Sequence, residues 1–331
     1  MTSRPDPSTT PPVAIVVIRE GKATESTSLD NLPRLLRDEK AILWIDLTGP
    51  SPEDVGAVAK ALGLHPLIVE DIVESNERAK VVHVRDVIHI VLFALERNAS
   101  PEIRIDELDF VLGRRFLLSV HPASWNPRAG HALKMGVAEV LEKGPDALLW
   151  AISDSVVDGY FPVFDKLADE IDDLEDRILD RPNRQTLEQV FAMKRELIKI
   201  RHVVAPSREI FNQLTSREYD LIGEAQILYF RDVYDHLIRL TDEFDSFREL
   251  TAAIVEVYLS TINNNLSTIM KRLTGITVVL AGIGAIGGIF GMSEATSAFR
   301  GGEGAGFWLV TAGIIVLALL AVAFLRRIDW I

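Results

Sequence analysis

Two uncharged runs close to the C-terminus, Leu273 to Ser293 and Ala305 to Leu325, limit what this chain can fold into more than any other feature. A helix of about 20 apolar residues rises the ~30 Å needed to cross the hydrocarbon core of a bilayer. Backbone amides inside lipid must be satisfied within the segment, so two such runs in succession predict a pair of membrane-spanning helices, 273–293 and 305–325. Lys271 and Arg272 precede the first run and Arg326 and Arg327 follow the second. Positive charge favours the cytoplasmic side, which places both outer ends there and the loop 294–304 outside. Trp308 and Trp330 bracket the second run at the depth that amphipathic rings prefer. Residues 1–12 are rich in Pro, Ser and Thr and are expected to form a disordered tail, with no signal peptide. The expected topology is multi-pass, with the N-terminus and the C-terminal tail 326–331 both cytoplasmic.

The remaining chain divides in two. Residues 13–145 show strand-like runs at Val13–Ile18, Ile42–Leu47, Val87–Leu95, Ile103–Leu112 and Phe116–His121, the last pair joined by a Gly113-Arg114 turn. Ser51-Pro52-Glu53-Asp54 reads as a capped helix start, and Gly63 as its end. This part is expected to be a cytoplasmic α+β or α/β domain. Over 146–272 strand signals cease, and Phe164, Leu167, Ile171, Leu174 and Ile178 form a heptad stripe. A second helix is expected from about Gln185 to about Pro206. A third, from about Tyr219 to Met292, would be roughly 110 Å long, too long for one globular core, and therefore packs against copies of itself. The fold class is an α+β domain followed by long stalk helices and two C-terminal membrane helices.

Composition removes whole classes of chemistry. With no Cys among 331 residues there is no disulfide framework, thiolate metal site or cysteine nucleophile. A net charge of -13 disfavours nucleic acid and suits cations. No phosphate-binding loop is present, and the seven His residues show no metal-ligand spacing. Gly282-Ile283-Gly284-Ala285-Ile286-Gly287 matches a dinucleotide fingerprint by letter, but it lies inside a membrane helix. There Gly284 with Gly288, and Gly287 with Gly291, allow close helix approach. No enzyme and no cofactor is expected. The acidic series Asp165, Asp169, Glu170, Asp172, Asp173, Glu175, Asp176 and Asp180 reads as a solvated face that also draws cations. Asp232, Asp235 and Glu256 are candidate metal ligands, because hard divalent ions take carboxylate oxygen and these residues stand on the helix leading into the membrane.

Tyr229-Phe230-Arg231-Asp232-Val233-Tyr234-Asp235-His236, then Tyr258-Leu259-Ser260, Met270-Lys271 and Gly291-Met292, resemble the CorA family of divalent-cation transport proteins. Further matches are Trp44-Ile45-Asp46-Leu47, Glu70-Asp71-Ile72, Asp109-Phe110-Val111-Leu112-Gly113, Val120-His121, Val157-Asp158-Gly159-Tyr160-Phe161-Pro162 and Lys194-Arg195-Glu196-Leu197. The resemblance implies a funnel-shaped homopentamer in the inner membrane, its pore lined by the first membrane helix. Met270, Leu273, Thr277, Ala281, Gly284, Gly288 and Met292 share one face of that helix by spacing. The resemblance makes this face the pore lining, with Met270 and Leu273 as an apolar neck that gates by dewetting. It also gives Asp232 a part in an intersubunit magnesium site that closes the channel. Gly291, Met292 and Ser293 occupy the selectivity ring.

The family signature there is Gly-Met-Asn, and Ser293 replaces the Asn. A Ser hydroxyl is shorter and accepts more weakly from the water shell of a hydrated ion. Three expectations follow. One is a passive magnesium channel, with cobalt or nickel as further substrates, gated by cytoplasmic magnesium. Another is a proton-coupled zinc transporter of the related ZntB branch. The third is a non-conducting cation sensor.

Overall fold

The computed structural model describes residues 12–74, 78–97, 102–134, 136–180, 182–216, 219–291 and 305–327. They fall into two compact units, one within Met1–Glu175 and Glu188–Ala252, the other within Asp176–Leu187 and Ala253–Ile331.

The first unit is built on a seven-stranded sheet. Its strands are β1 (Val13–Arg19), β2 (Lys22–Ser26), β3 (Ala41–Thr48), β4 (Lys80–Val84), β5 (Val87–Glu96), β6 (Arg104–Gly113) and β7 (Phe116–His121). Their order across the sheet is β2-β1-β3-β7-β6-β5-β4. Only β3 and β7 run parallel, with Trp44 opposite Leu117 and Ile45 opposite Leu118. The helices α1 (Leu32–Arg37), α2 (Pro52–Leu62) and α3 (Pro66–Val73) follow from the loops around β3. Leu32, Val55, Val58 and Ile68 from them pack with Ile15, Leu43, Ile45, Leu47 and Leu118 of the sheet. The helices α4 (Val137–Leu141) and α5 (Pro145–Asp158) lie against the sheet as well. The inner strands are therefore covered by helices and read as unbroken apolar runs, which is why they were visible in the sequence.

Two strands escape that reading. β2 is exposed and reads Lys-Ala-Thr-Glu-Ser, and β4 is a short edge. Both are set by hairpin geometry: Glu20 and Gly21 have φ of 49° and 76°, and Arg85 has φ of 53°. The α2 helix begins as expected. The Ser51 hydroxyl accepts from the Asp54 N–H, the Asp54 carboxylate accepts from the Ser51 N–H, and Gly63 closes the helix at φ 67°.

The long helices are α6 (Phe161–Asp180), α7 (Arg184–Ser216) and α8 (Glu224–Gly291). The five apolar residues of the α6 stripe are all buried. Tyr160, also buried, donates its hydroxyl to the Phe93 carbonyl at 2.6 Å and so ties the start of α6 to β5. Helix α7 does not stop at Pro206 but runs through it to Ser216. Proline removes one N–H, and the carbonyl that loses it belongs to exposed His202, where water can replace it. Helix α8 starts at Glu224, later than Tyr219, because Gly223 intervenes and gives its N–H to Asp146 at 2.9 Å.

In the second unit α9 (Ala305–Arg327) lies beside the C-terminal part of α8. Val278, Gly282 and Ile286 face Ile314, Ala318 and Ala321 across an apolar cleft of about 280 Å³. Helix α8 contains a stretch long and apolar enough to cross a membrane.

Candidate metal centre

Helix α5 presents Asp154 and, one turn later, Asp158, while α8 presents Asp232 and His236, also one turn apart. Where the two helices meet in the first unit, one ligand atom each from Asp154, Asp232 and His236 lie within 4.8 Å of one another. His236 Nδ1 is 3.6 Å from the Asp158 carboxylate, buried, and without a hydrogen-bond partner. The imidazole is held in place by the edge of Phe161, with ring centroids 5.6 Å apart, and Arg239 covers Phe161 in turn. Farther toward the start of α8, Tyr229 stacks on Trp150 at 4.5 Å and fixes the helix pair.

The electrostatics suit a missing positive charge. Burial pushes the Asp154 carboxyl up to about 6, Asp158 and Asp232 push it the same way, and His236 and His131 oppose them. Three carboxylates crowd one imidazole, and a divalent ion placed among them would relieve their repulsion. Oxygen donors fit magnesium, and the imidazole nitrogen extends the set toward cobalt, nickel and zinc. Binding requires Asp154 to lose its proton. Affinity for a divalent ion is therefore expected to be constant well above pH 6 and to fall by about tenfold per pH unit below it. Calorimetric titration with magnesium or cobalt over that range checks this.

Among the candidate ligands proposed above, Asp232 is in the cluster. Asp235 is exposed and outside it, and Glu256 is exposed several turns farther along α8. Asp154, Asp158 and His236 were not singled out. Their one-turn spacings were present in the sequence, but nothing there showed that α5 and α8 cross at those turns.

On the proposed pore face, Met270 and Leu273 are 60% and 57% exposed, and Thr277, Ala281, Gly284 and Gly288 are exposed too. The Thr277 hydroxyl donates to the Leu273 carbonyl at 2.8 Å. A methyl group added at Gly282, Gly284, Gly287 or Gly288 would meet nothing within 4 Å. Gly291 ends α8, while Met292, Ser293 and the loop 294–304 lie outside the described residues.

The family model for the CorA-like Mg2+ transporter protein matches residues 39–327. The chain is 31% identical over 325 residues to the cobalt/magnesium transport protein CorA of Thermotoga maritima, covering 96% of this chain and 90% of that protein. It is 24% identical to the zinc transport protein ZntB of Cronobacter sakazakii, covering 87% and 88%. The solved CorA magnesium transporter of Methanocaldococcus jannaschii has the same fold, with a TM-score of 0.78 at 22% identity over 96% of this chain and 98% of that one.

Proposed function

The chain belongs to the family of CorA-like Mg2+ transporter proteins, and from that premise we propose that it is an inner-membrane magnesium channel whose own cytoplasmic unit reads the ion it admits. The observation that carries the proposal is the content of one helix. Helix α8 bears Asp232 and His236 of the candidate metal centre, and farther along an exposed face with Met270 and Leu273 at its start. A methyl group added at Gly284, Gly287 or Gly288 would meet nothing within 4 Å, which supports packing against other copies, five in the expected assembly. The cytoplasmic parts are 13–145 and 146–272, and the two membrane spans are 273–293 and 305–325.

Ions at the centre tie α5 to α8 and close the channel when internal magnesium is plentiful. Entry follows the membrane potential, which contributes roughly 4.6 kcal/mol per 100 mV for a doubly charged ion. No chemical step is required. A second reading, zinc transport coupled to protons, draws support from His236, since imidazole suits zinc better than magnesium.

Flux into proteoliposomes, read with magnesium, zinc and pH dyes together, tests both. Magnesium entry without proton movement is the expected result. Zinc entry with protons transfers the assignment to the second reading, and absence of all flux leaves a cation sensor. In the same assay Ser293→Asn is expected to raise the magnesium-to-cobalt flux ratio by about threefold or more, because an amide carbonyl accepts better from ion-bound water. An unchanged ratio removes position 293 from selectivity.

A further inference from the structure

The parallel strands β3 and β7 end at an open cavity of about 300 Å³ in the first unit. The loops that leave their C-terminal ends frame its mouth with Gly49, Pro50, Pro52 and Pro122. The Gly49 N–H donates to the His121 carbonyl at 2.7 Å and pins the two loops together. The prolines fix the backbone on either side, so the mouth is formed in advance of any ligand. Crevices outside the carboxyl ends of parallel strands are where α/β sheets take small molecules. Val55 of α2, Ile72 and Val73 of α3 and Val120 of β7 supply apolar walls. Strand β6 adds two carboxylates, Glu107 and Asp109, which stand two residues apart and therefore on one face, with Asp109 opposite Val120.

Asp109 is only 4% exposed. Its Oδ1 is 2.8 Å from Nε2 of His89, and Oδ2 has no hydrogen bond among the described residues. Burial pushes this carboxyl above its ordinary range, with His89 opposing, because a charge there has lost most of its water. Among the described residues no Lys or Arg lines the cavity, and the ring nitrogens of His121 are already turned to Asp46 and to the Pro122 carbonyl. The lining thus combines carboxylates with hydrocarbon and holds no cationic side chain beside them.

That combination discriminates among ligands. Anions are repelled, and a neutral molecule leaves a buried carboxylate without a charged donor. Hydrated magnesium keeps its water shell and gains nothing from apolar walls. An alkylammonium ion satisfies both parts, with three N–H donors for carboxylate oxygens and methylenes that leave water for the walls. We propose that this cavity binds a short aliphatic primary amine in its ammonium form, with the nitrogen at Asp109 and Glu107 and the chain against Val55, Ile72, Val73 and Val120. The site shares no residue with the Asp154, Asp232 and His236 cluster and does not depend on the metal reading. Occupancy braces α3 against β6 and the two loops, so an organic cation acts on the same unit as the inorganic one.

Calorimetric titration of the full-length protein in detergent with n-butylammonium, against empty micelles as blank, tests this. Saturable binding below about 10 mM is expected, with neither neutral butan-1-ol nor magnesium at matched ionic strength displacing the amine. Glu107→Gln and Asp109→Asn are each expected to weaken binding by about tenfold. Val73→Phe, at a position 45% exposed where a larger side chain is tolerated, fills the cavity and is expected to abolish binding. Asp154→Asn leaves it unchanged. Should Asp109→Asn fail to fold, Glu107→Gln and Val73→Phe decide the matter. Absence of saturable binding, displacement by magnesium or butan-1-ol, or wild-type affinity in either Glu107→Gln or Val73→Phe overturns the proposal.

Discussion

Asp154→Asn is expected to weaken magnesium or cobalt binding to the α5/α8 cluster by about tenfold or more, equivalent to about 1.4 kcal/mol, and to abolish the fall in affinity below pH 6. Asn keeps the size of the side chain and one oxygen donor but removes both the charge and the titrating proton. The two effects must therefore appear together. Asp232→Ala removes a ligand from the opposite helix and is expected to lower magnesium-dependent protection of the cytoplasmic unit against protease. Within one chain Asp235 and Glu256 are outside the cluster, so Asp235→Asn and Glu256→Gln leave it intact. Any loss of affinity in those two variants reports ligands contributed between copies. Calorimetry and limited proteolysis on the same preparations separate these cases. Unchanged affinity in Asp154→Asn with an unchanged pH profile removes the α5/α8 cluster from cation binding.

The second large effect concerns the side chains that link β3 to β7. Asp46 on β3 is buried, accepts from Ser119 Oγ and lies 3.2 Å from His121 Nε2, both on β7. Ser119 in turn accepts from Trp44 Nε1 at 2.9 Å, and His121 Nδ1 donates to the Pro122 carbonyl at 2.9 Å. Thr48 Oγ1 lies 3.5 Å from the same His121 nitrogen, so removing the carboxylate takes the acceptor from Ser119 and one of two side-chain partners from His121 Nε2. Asp46→Ala is expected to cost about 1–3 kcal/mol, the range for leaving buried polar groups without their partner. The midpoint of thermal unfolding of the first unit should drop by about 2–12 °C. Asp46→Asn retains an acceptor for Ser119 and should lose less. Equal midpoints for wild type and Asp46→Ala would mean that the parallel β3/β7 pairing does not depend on this chain of side chains.

How much of this could be read beforehand depended on where each signal resides. Strands β1, β3, β5 and β7 announce themselves because helices cover the sheet, so apolar residues occupy consecutive positions, while β6, with Arg104, Asp106, Glu107 and Asp109 among its apolar residues, is marked by the Gly113-Arg114 turn that joins it to β7. The cap at Ser51 and Asp54 is a local device and was equally plain. Strands β2 and β4 exist because a neighbour pairs with them, and a pairing partner leaves no mark on five residues. Pro206 misled because the penalty for interior proline depends on whether the freed carbonyl meets water, which is a tertiary fact. Asp232 was readable as a carboxylate on a long helix, whereas Asp154 and His236 acquire meaning only from the crossing of α5 with α8.

The two margins of the sheet limit how the protein can stick to others. An unpaired margin of backbone amides is an invitation to further strands, and long apolar margins lead to fibres. Here both margins are five-residue strands, β2 with Lys22 and Glu25 exposed, and β4 beginning at Lys80. Short, charged margins of this kind resist strand addition. Any association of copies is therefore expected to run through helix surfaces and not through added strands.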